Sequence, residues 1–363
     1  MTGRKTIYPE FLFRLESQER IALATIIEAE GATPQVPGAS ALFGEKGLLL
    51  GTLGGGILEA EAGKRALLCL KKRSSVYYRF DLKGEDLASG EPVCGGFVWI
   101  LVDGSPGDNK ETWRRLAGAL LARRSGVLVT QIDRGRDDRV EVGRTWLDEK
   151  TADQEAGTLL GRFTPELAQA RRQEKPVLIR EQATSPESGQ TFFFLEPVAP
   201  LPRLLVVGAG HIGQALARQA AWLDFNVTVI DDRADYASRD RFAPGTSLVV
   251  ADIEGAVREF PVSSDTYIVI VTRGHSHDAE ALRACIHSPA AYIGMIGSRH
   301  KVALMRERFL GAGWASAREW DRVRAPIGLK IGSTTVEEIA VSIAAELVQV
   351  RSRIRETQAG EDM

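Results

Sequence analysis

Hydrophobic and polar positions are most sharply patterned over residues 204–232, LLVVGAGHIGQALARQAAWLDFNVTVIDDR. An apolar run ends in a glycine turn, an amphipathic segment follows, and a second apolar run closes on Asp231. This order predicts strand, turn, helix and strand. In such a unit Gly208 permits the tight turn, Gly210 lets the backbone approach a phosphate, and Gly213 lets helix and strand pack closely. N–H groups at the helix start, beginning with His211, then face a ligand's negative charge. Asp231 lies where a carboxylate can accept from a ribose hydroxyl. Further apolar runs predict strands at 247–251, 267–272 and 291–296, and hence a Rossmann-like, doubly wound parallel sheet. A last helix is predicted over about 335–354, opened by a capping box that pairs Thr334 with Glu337 or Thr335 with Glu338. One of its faces, Ile339, Ile343, Ala344 and Leu347, suits either the sheet or a second copy.

The N-terminal half mixes periods. Residues 9–19 read as a short helix, and the apolar run ALATIIEA (22–29) as a buried strand. After the turn-rich GATPQVPGAS, residues 40–53 predict a hairpin about Gly44–Gly47. Gly54, Gly55 and Gly56 then open a helix in which Ile57, Leu58, Ala62, Ala66 and Leu70 recur near helical period. Strands follow at 76–82 and 97–103, a helix at 111–124, and a strand-rich stretch over 126–198 with one helix near 165–174. RGRDDR (134–139) reads as a charged hairpin tip. The fold class is therefore α/β: an N-terminal α+β domain over 1–198 (core 1–104, variable 105–198), a proline-rich linker at 199–203, the Rossmann-like domain over 204–354, and a frayed tail at 355–363.

Composition narrows the function. The 363 residues suffice for two domains, and a net charge of −2 creates no global field for nucleic acid or an anionic membrane. No apolar run reaches membrane-spanning length, and the first residues lack a secretory h-region. Cys69, Cys94 and Cys285 are odd in number and widely spaced, which favours a reducing cytoplasm over a disulfide framework. All five histidines fall after residue 200, so chemistry in the N-terminal half must use carboxylates, backbone, hydroxyls or cysteine.

Three clusters can carry chemistry. Ligands of an open parallel sheet sit outside the carboxyl ends of its strands. There the chain delivers Arg273, His275, His277 and Asp278 after one strand, and Ser298, Arg299, His300 and Lys301 after the next. Arg299 and Lys301 suit an anion; His275, His277 and Asp278 suit a metal, acid–base work, or simply a solvated turn. The second cluster is GTLGGGILEAEA (51–62), an anion-binding helix start without the P-loop pattern. Its Glu59 and Glu61 serve either a ligand with donor groups or only the helix dipole. The third is Cys94 with Gly95 and Gly96, where a thiolate can ligate a soft metal or carry sulfur, or pack as a small hydrophobe.

Taken together, GATPQVPGA, GTLGGGILEAE, VCGG, LLVVGAGHIG, TRGHSHD, YIGMIGSRHK and APIGLKIGSTTVEEIAVSIAAEL resemble the XdhC/CoxI family, accessory proteins that mature molybdenum hydroxylases such as xanthine dehydrogenase and carbon monoxide dehydrogenase. The resemblance covers nearly the whole chain and is weakest over about 105–198. Where family members often carry Arg after Thr-Pro, this chain has Gln35. The resemblance implies a chaperone that binds the molybdenum cofactor, as molybdopterin or its cytosine dinucleotide form, supports its sulfuration with a cysteine desulfurase, and delivers it to the apo-hydroxylase. It implies cofactor contacts at Gly54, Gly55, Gly56, Glu59, Cys94, Gly95 and Gly96, with Cys94 meeting the molybdenum or its sulfur ligand. In the Rossmann half it implies Gly208, Gly210, His211, Gly213, Asp231, His275, His277, Asp278, Ser298, Arg299 and Lys301. The competing reading is an NAD(P)-dependent oxidoreductase built on GAGHIG and Asp231. A symmetric homodimer is the base expectation for the assembly.

Overall fold

The computed structural model describes residues 7–82, 95–148, 161, 163–181 and 189–360. The chain divides into two units that meet in sequence at Pro200 and Leu201. In the first unit, helix α1 (Ile7–Glu16) precedes β1 (Ala22–Glu30), the hairpin β2 (Ser40–Gly44) and β3 (Gly47–Gly51), and helix α2 (Gly56–Lys72). Then come β4 (Ser75–Asp81), β5 (Phe97–Asp103), helix α3 (Lys110–Leu121), β6 (Gly126–Arg134) and β7 (Val140–Asp148). Helix α4 (Thr164–Gln173), β8 (Val177–Arg180) and β9 (Gln190–Val198) end the unit. Its nine described strands form one antiparallel sheet in the order β3-β2-β1-β5-β4-β7-β6-β9-β8.

Alternation along β1 sets the layers. Ala22, Ala24 and Ile26 face α2, whose Leu58, Ala62, Ala66 and Cys69 complete one core. Leu23 points the other way, into a second core with Tyr8 and Phe11 of α1 and Trp113 and Leu116 of α3. Ile57, expected in the buried stripe of α2, is instead exposed. Asp103 and Arg144 form a buried ion pair that links β5 to β7; Asp103 also accepts from the Ser75 hydroxyl and the Ser105 N–H.

The second unit holds a six-stranded parallel sheet. Its strands are β10 (Arg203–Val207), β11 (Asn226–Asp231), β12 (Ser247–Val250), β13 (Thr266–Ile270), β14 (Tyr292–Met295) and β15 (Val323–Arg324), in the order β12-β11-β10-β13-β14-β15. Both faces are covered, so strands are apolar on both: Leu205 and Val207 pack one way, Leu204 and Val206 the other. Helix α5 (His211–Trp222) and the last helix (Val336–Gly360) cover the second face, with Ile343, Ala344 and Leu347 buried there. The face carrying Ile339 therefore serves the sheet. Thr335 and Glu338 make the reciprocal bonds at the start of this last helix, and Thr334 adds its own N–H and hydroxyl to the same carboxylate. The tail expected to fray from residue 355 stays helical through Gly360.

Candidate functional site

The strand order reverses at β10. Chain segments leave it toward β11 and β12 on one side and later return to β13 on the other. A crevice at such a reversal, at the carboxyl ends of the strands, is where this architecture binds ligands. Gly208 lies in it with φ +118°, and a Cβ there would stand 2.5 Å from the Val271 carbonyl oxygen and 3.0 Å from Thr272 Cα. Glycine is thus needed both for the backbone angle and for passage beneath the end of β13. A Cβ at Gly213 would overlap the carbonyl oxygen of Gly208, so helix and turn pack backbone to backbone. Gly210 differs. Its backbone is extended, no side chain caps the helix it opens, and a Cβ there would meet nothing within 4 Å. The start of α5 therefore has open space beside Gly210 and an exposed His211, and no side chain caps its first amides.

Asp231, at the end of β11, is 2% exposed. Its Oδ2 accepts the Ala209 N–H at 2.7 Å and Arg233 Nη2 at 2.9 Å. Its Oδ1 accepts the Arg233 N–H at 3.0 Å and Nε at 2.8 Å. Burial pushes this carboxyl upward, but the Arg233 guanidinium and the two backbone N–H donors outweigh it and hold the group down at about 2. A ribose hydroxyl finds no free lone pair there, so the role expected of Asp231 does not fit its geometry.

Gly274 (φ +101°) caps helix α6 (His275–Cys285), and a Cβ on it would also meet open space. The seven-residue helix Ile253–Glu259 precedes it in the chain. Asp278 is fully buried and accepts the Thr272 hydroxyl at 2.5 Å and the Lys301 ammonium. Ser298 caps helix α7 (Arg299–Gly311) by accepting the Lys301 N–H at 3.2 Å. Asp278 and Lys301 thus tie two helix starts together, and Lys301 is not the free cation that its sequence position suggested. His277 Nδ1 lies 3.1 Å from Glu280, and Arg273, Arg299 and His300 are exposed. The helix begins at His275, whose side chain lies outside the described part. Among the described residues no group of three His, Cys, Asp or Glu side chains is placed to hold a metal ion; the set His275, His277 and Asp278 includes a side chain outside them.

In the first unit three loops converge. A Cβ on Gly54 would stand 2.7 Å from the Pro34 ring, and one on Gly31 would stand 2.9 Å from Gly96 Cα. Loop 31–39 therefore meets the turn 51–56 through the Pro34 ring, and meets Gly95–Gly96 with backbone against backbone. Gly55 and Gly95 face open space, and no side chain caps α2. Exposed Val36 and Ile57 belong to the same segments. Glu59 accepts from the Thr52 hydroxyl at 2.8 Å and the Leu53 N–H at 3.1 Å, while Thr52 accepts from the Gly54 N–H. This carboxylate shapes the turn from inside. Cys94 lies outside the described residues.

A cleft of about 410 Å³ opens beside the ends of β11 and β12 and is lined by Ile230, Val249, Ala251 and Phe260 with Asp252 and Glu259. It has two carboxylates and no cation, which is the wrong sign for an anionic tail.

Strand order and glycine turn define the second unit as a Rossmann domain. The family model described as the XdhC Rossmann domain matches residues 204–347, and that of the XdhC and CoxI family matches residues 14–81. The chain belongs to the XdhC and CoxI family. It is 28% identical over 346 residues to a probable xanthine dehydrogenase subunit of Bacillus subtilis, covering 94% of this chain and 96% of the relative. It is 26% identical over 152 residues to the molybdenum cofactor insertion chaperone PaoD of Escherichia coli, covering 42% and 41% of the two chains. Its fold matches a crystal structure of a xanthine dehydrogenase from Bacillus halodurans with a TM-score of 0.71 at 24% identity, over 97% of each chain. No helix among the described residues is long and apolar enough to cross a membrane.

Proposed function

We propose that this protein is an accessory chaperone that binds the molybdenum cofactor and delivers it to a molybdenum hydroxylase. The observation that carries the reading is open backbone at the glycine turns, Gly55 in one unit and Gly210 in the other, each at the uncapped start of a long helix. A pyranopterin with a phosphate tail needs donors for its anionic end and for its ring edge, and main-chain N–H groups supply both. Family membership and the likeness to an insertion chaperone point the same way. Support of sulfuration, with a cysteine desulfurase as partner, and action as a cytoplasmic homodimer complete the proposal. Such a protein must also release its cargo, and backbone contacts suit that better than a closed cage of charged side chains.

The test is purification of the full chain from a strain that makes molybdopterin, followed by an assay for bound pterin. The expected result is co-purifying pterin and a loss of hydroxylase activity when the gene is deleted. No pterin together with unchanged hydroxylase activity would overturn the proposal. The glycine turn at the strand-order reversal also favours a second reading, an NAD(P)-dependent oxidoreductase. Titration with NADH and NADPH, followed by a search for turnover, separates the two.

A further inference from the structure

Asp231 stands where a dinucleotide-binding turn places the acid that meets a ribose, yet its carboxylate is turned inward. A carboxylate offers roughly four acceptor sites. Ala209 takes one and Arg233 takes the others. Any ribose hydroxyl would have to displace one of them. Arg233 is also held from behind: its guanidinium carbon lies 3.7 Å from the centroid of the Tyr236 ring, which Arg241 approaches at 4.7 Å. Ala209 is completely buried between the two glycines of the turn, so the direction of its amide sets the direction of the turn. The next residue, Asp232, keeps its side chain 45% exposed, with Arg233 Nε at 3.8 Å.

We propose that Asp231 is a positioning residue that fixes the glycine turn through the Ala209 amide, and that the ribose of a nucleotide-bearing ligand is met by Asp232. The inference rests on the reading of this turn as a phosphate site. It makes the turn complete without a ribose. Ligands ending in a phosphate monoester or a diphosphate then bind as one class, and a nucleoside adds only what Asp232 contributes.

The experiment uses the full chain with Asp231→Asn, Asp232→Asn and Arg233→Lys. Hydrogen exchange of the 205–213 segment is measured without ligand, and binding is then titrated with inorganic pyrophosphate and with NADH. In Asp231→Asn, the Ala209 amide is expected to exchange on the order of tenfold faster, and both probes to weaken by a common factor of about ten, as for one charge-assisted hydrogen bond lost. Arg233→Lys, which keeps a cation beside Asp231, should restrict that loss to about threefold. Asp232→Asn should leave exchange and pyrophosphate binding unchanged and weaken NADH alone, by about fivefold. If Asp231→Asn loses NADH but binds pyrophosphate normally, Asp231 reads the ribose and the assignment is wrong. Unchanged exchange at Ala209 would overturn the positioning role. If the unaltered protein binds neither probe, the phosphate reading and the Asp232 assignment fall together, while the exchange result alone decides whether Asp231 holds the turn.

Discussion

Two glycines of one turn, Gly210 and Gly213, differ in what a side chain would meet. A valine at Gly210 has room, because nothing lies within 4 Å of its Cβ and φ is −67°. Gly210→Val should therefore fold with a stability change below about 1 kcal/mol and yet lose ligand binding, because the side chain fills the space that a phosphate would use. Thermal melting paired with pterin content checks this. Gly213→Ala should do the reverse: its methyl collides with the Gly208 carbonyl, and an overpacked backbone contact of that kind costs about 3 kcal/mol or more. Asp231 gives a pH signature. Its carboxyl sits at about 2, below the ordinary value, so its contribution to stability is complete above about pH 4. That contribution fades as pH falls from about 4 through about 2. Urea unfolding at pH 5, 3 and 2.5 should show a steeper acid loss in the unaltered protein than in Asp231→Asn.

Pairs of elements are joined by groups whose partners are distant in sequence. Asp278 on α6 and Lys301 on α7 are 23 positions apart, and Asp103 and Arg144 are 41 apart. Removing one partner leaves a buried charge alone. Asp278→Asn is expected to cost about 3 kcal/mol or more, whereas Asp278→Leu combined with Lys301→Met should cost much less. A double-mutant cycle by urea unfolding measures the difference. These pairs also mark where the sequence stops being legible. Strands β10, β11 and β13, the turn between β10 and α5, and the capping box at Thr335 are local patterns, visible as apolar period and glycine spacing. The inward rotation of Asp231, the capture of Lys301 by Asp278 and the use of Glu59 inside its own turn depend on three-dimensional neighbours that no spacing encodes. The short strand β15 carried no period that could be read, and loop 31–39 gave no sign that Pro34 would lie on Gly54.

At the scale of the whole molecule, each unit has its own buried cores, in one case around Ile26 and Trp113 and in the other around Leu205 and Val206. Calorimetry of the full chain should therefore resolve two transitions. Bound cargo stabilises the unit that holds it by roughly 2.7 kcal/mol at a hundredfold excess over Kd. Comparing pterin-loaded with stripped protein should move one transition and leave the other in place, which locates the cargo. Equal movement of both would show that loading engages the two units together.

The clip formed by Asp231, Ala209 and Arg233 has a kinetic consequence. A bend already locked by its own chain has no ordering left to undergo when a guest arrives, so association should run at an encounter-limited pace with little activation enthalpy. Residence time is then governed by the few contacts made outside the bend, and a small change at the rim should alter how long the guest stays far more than how fast it lands.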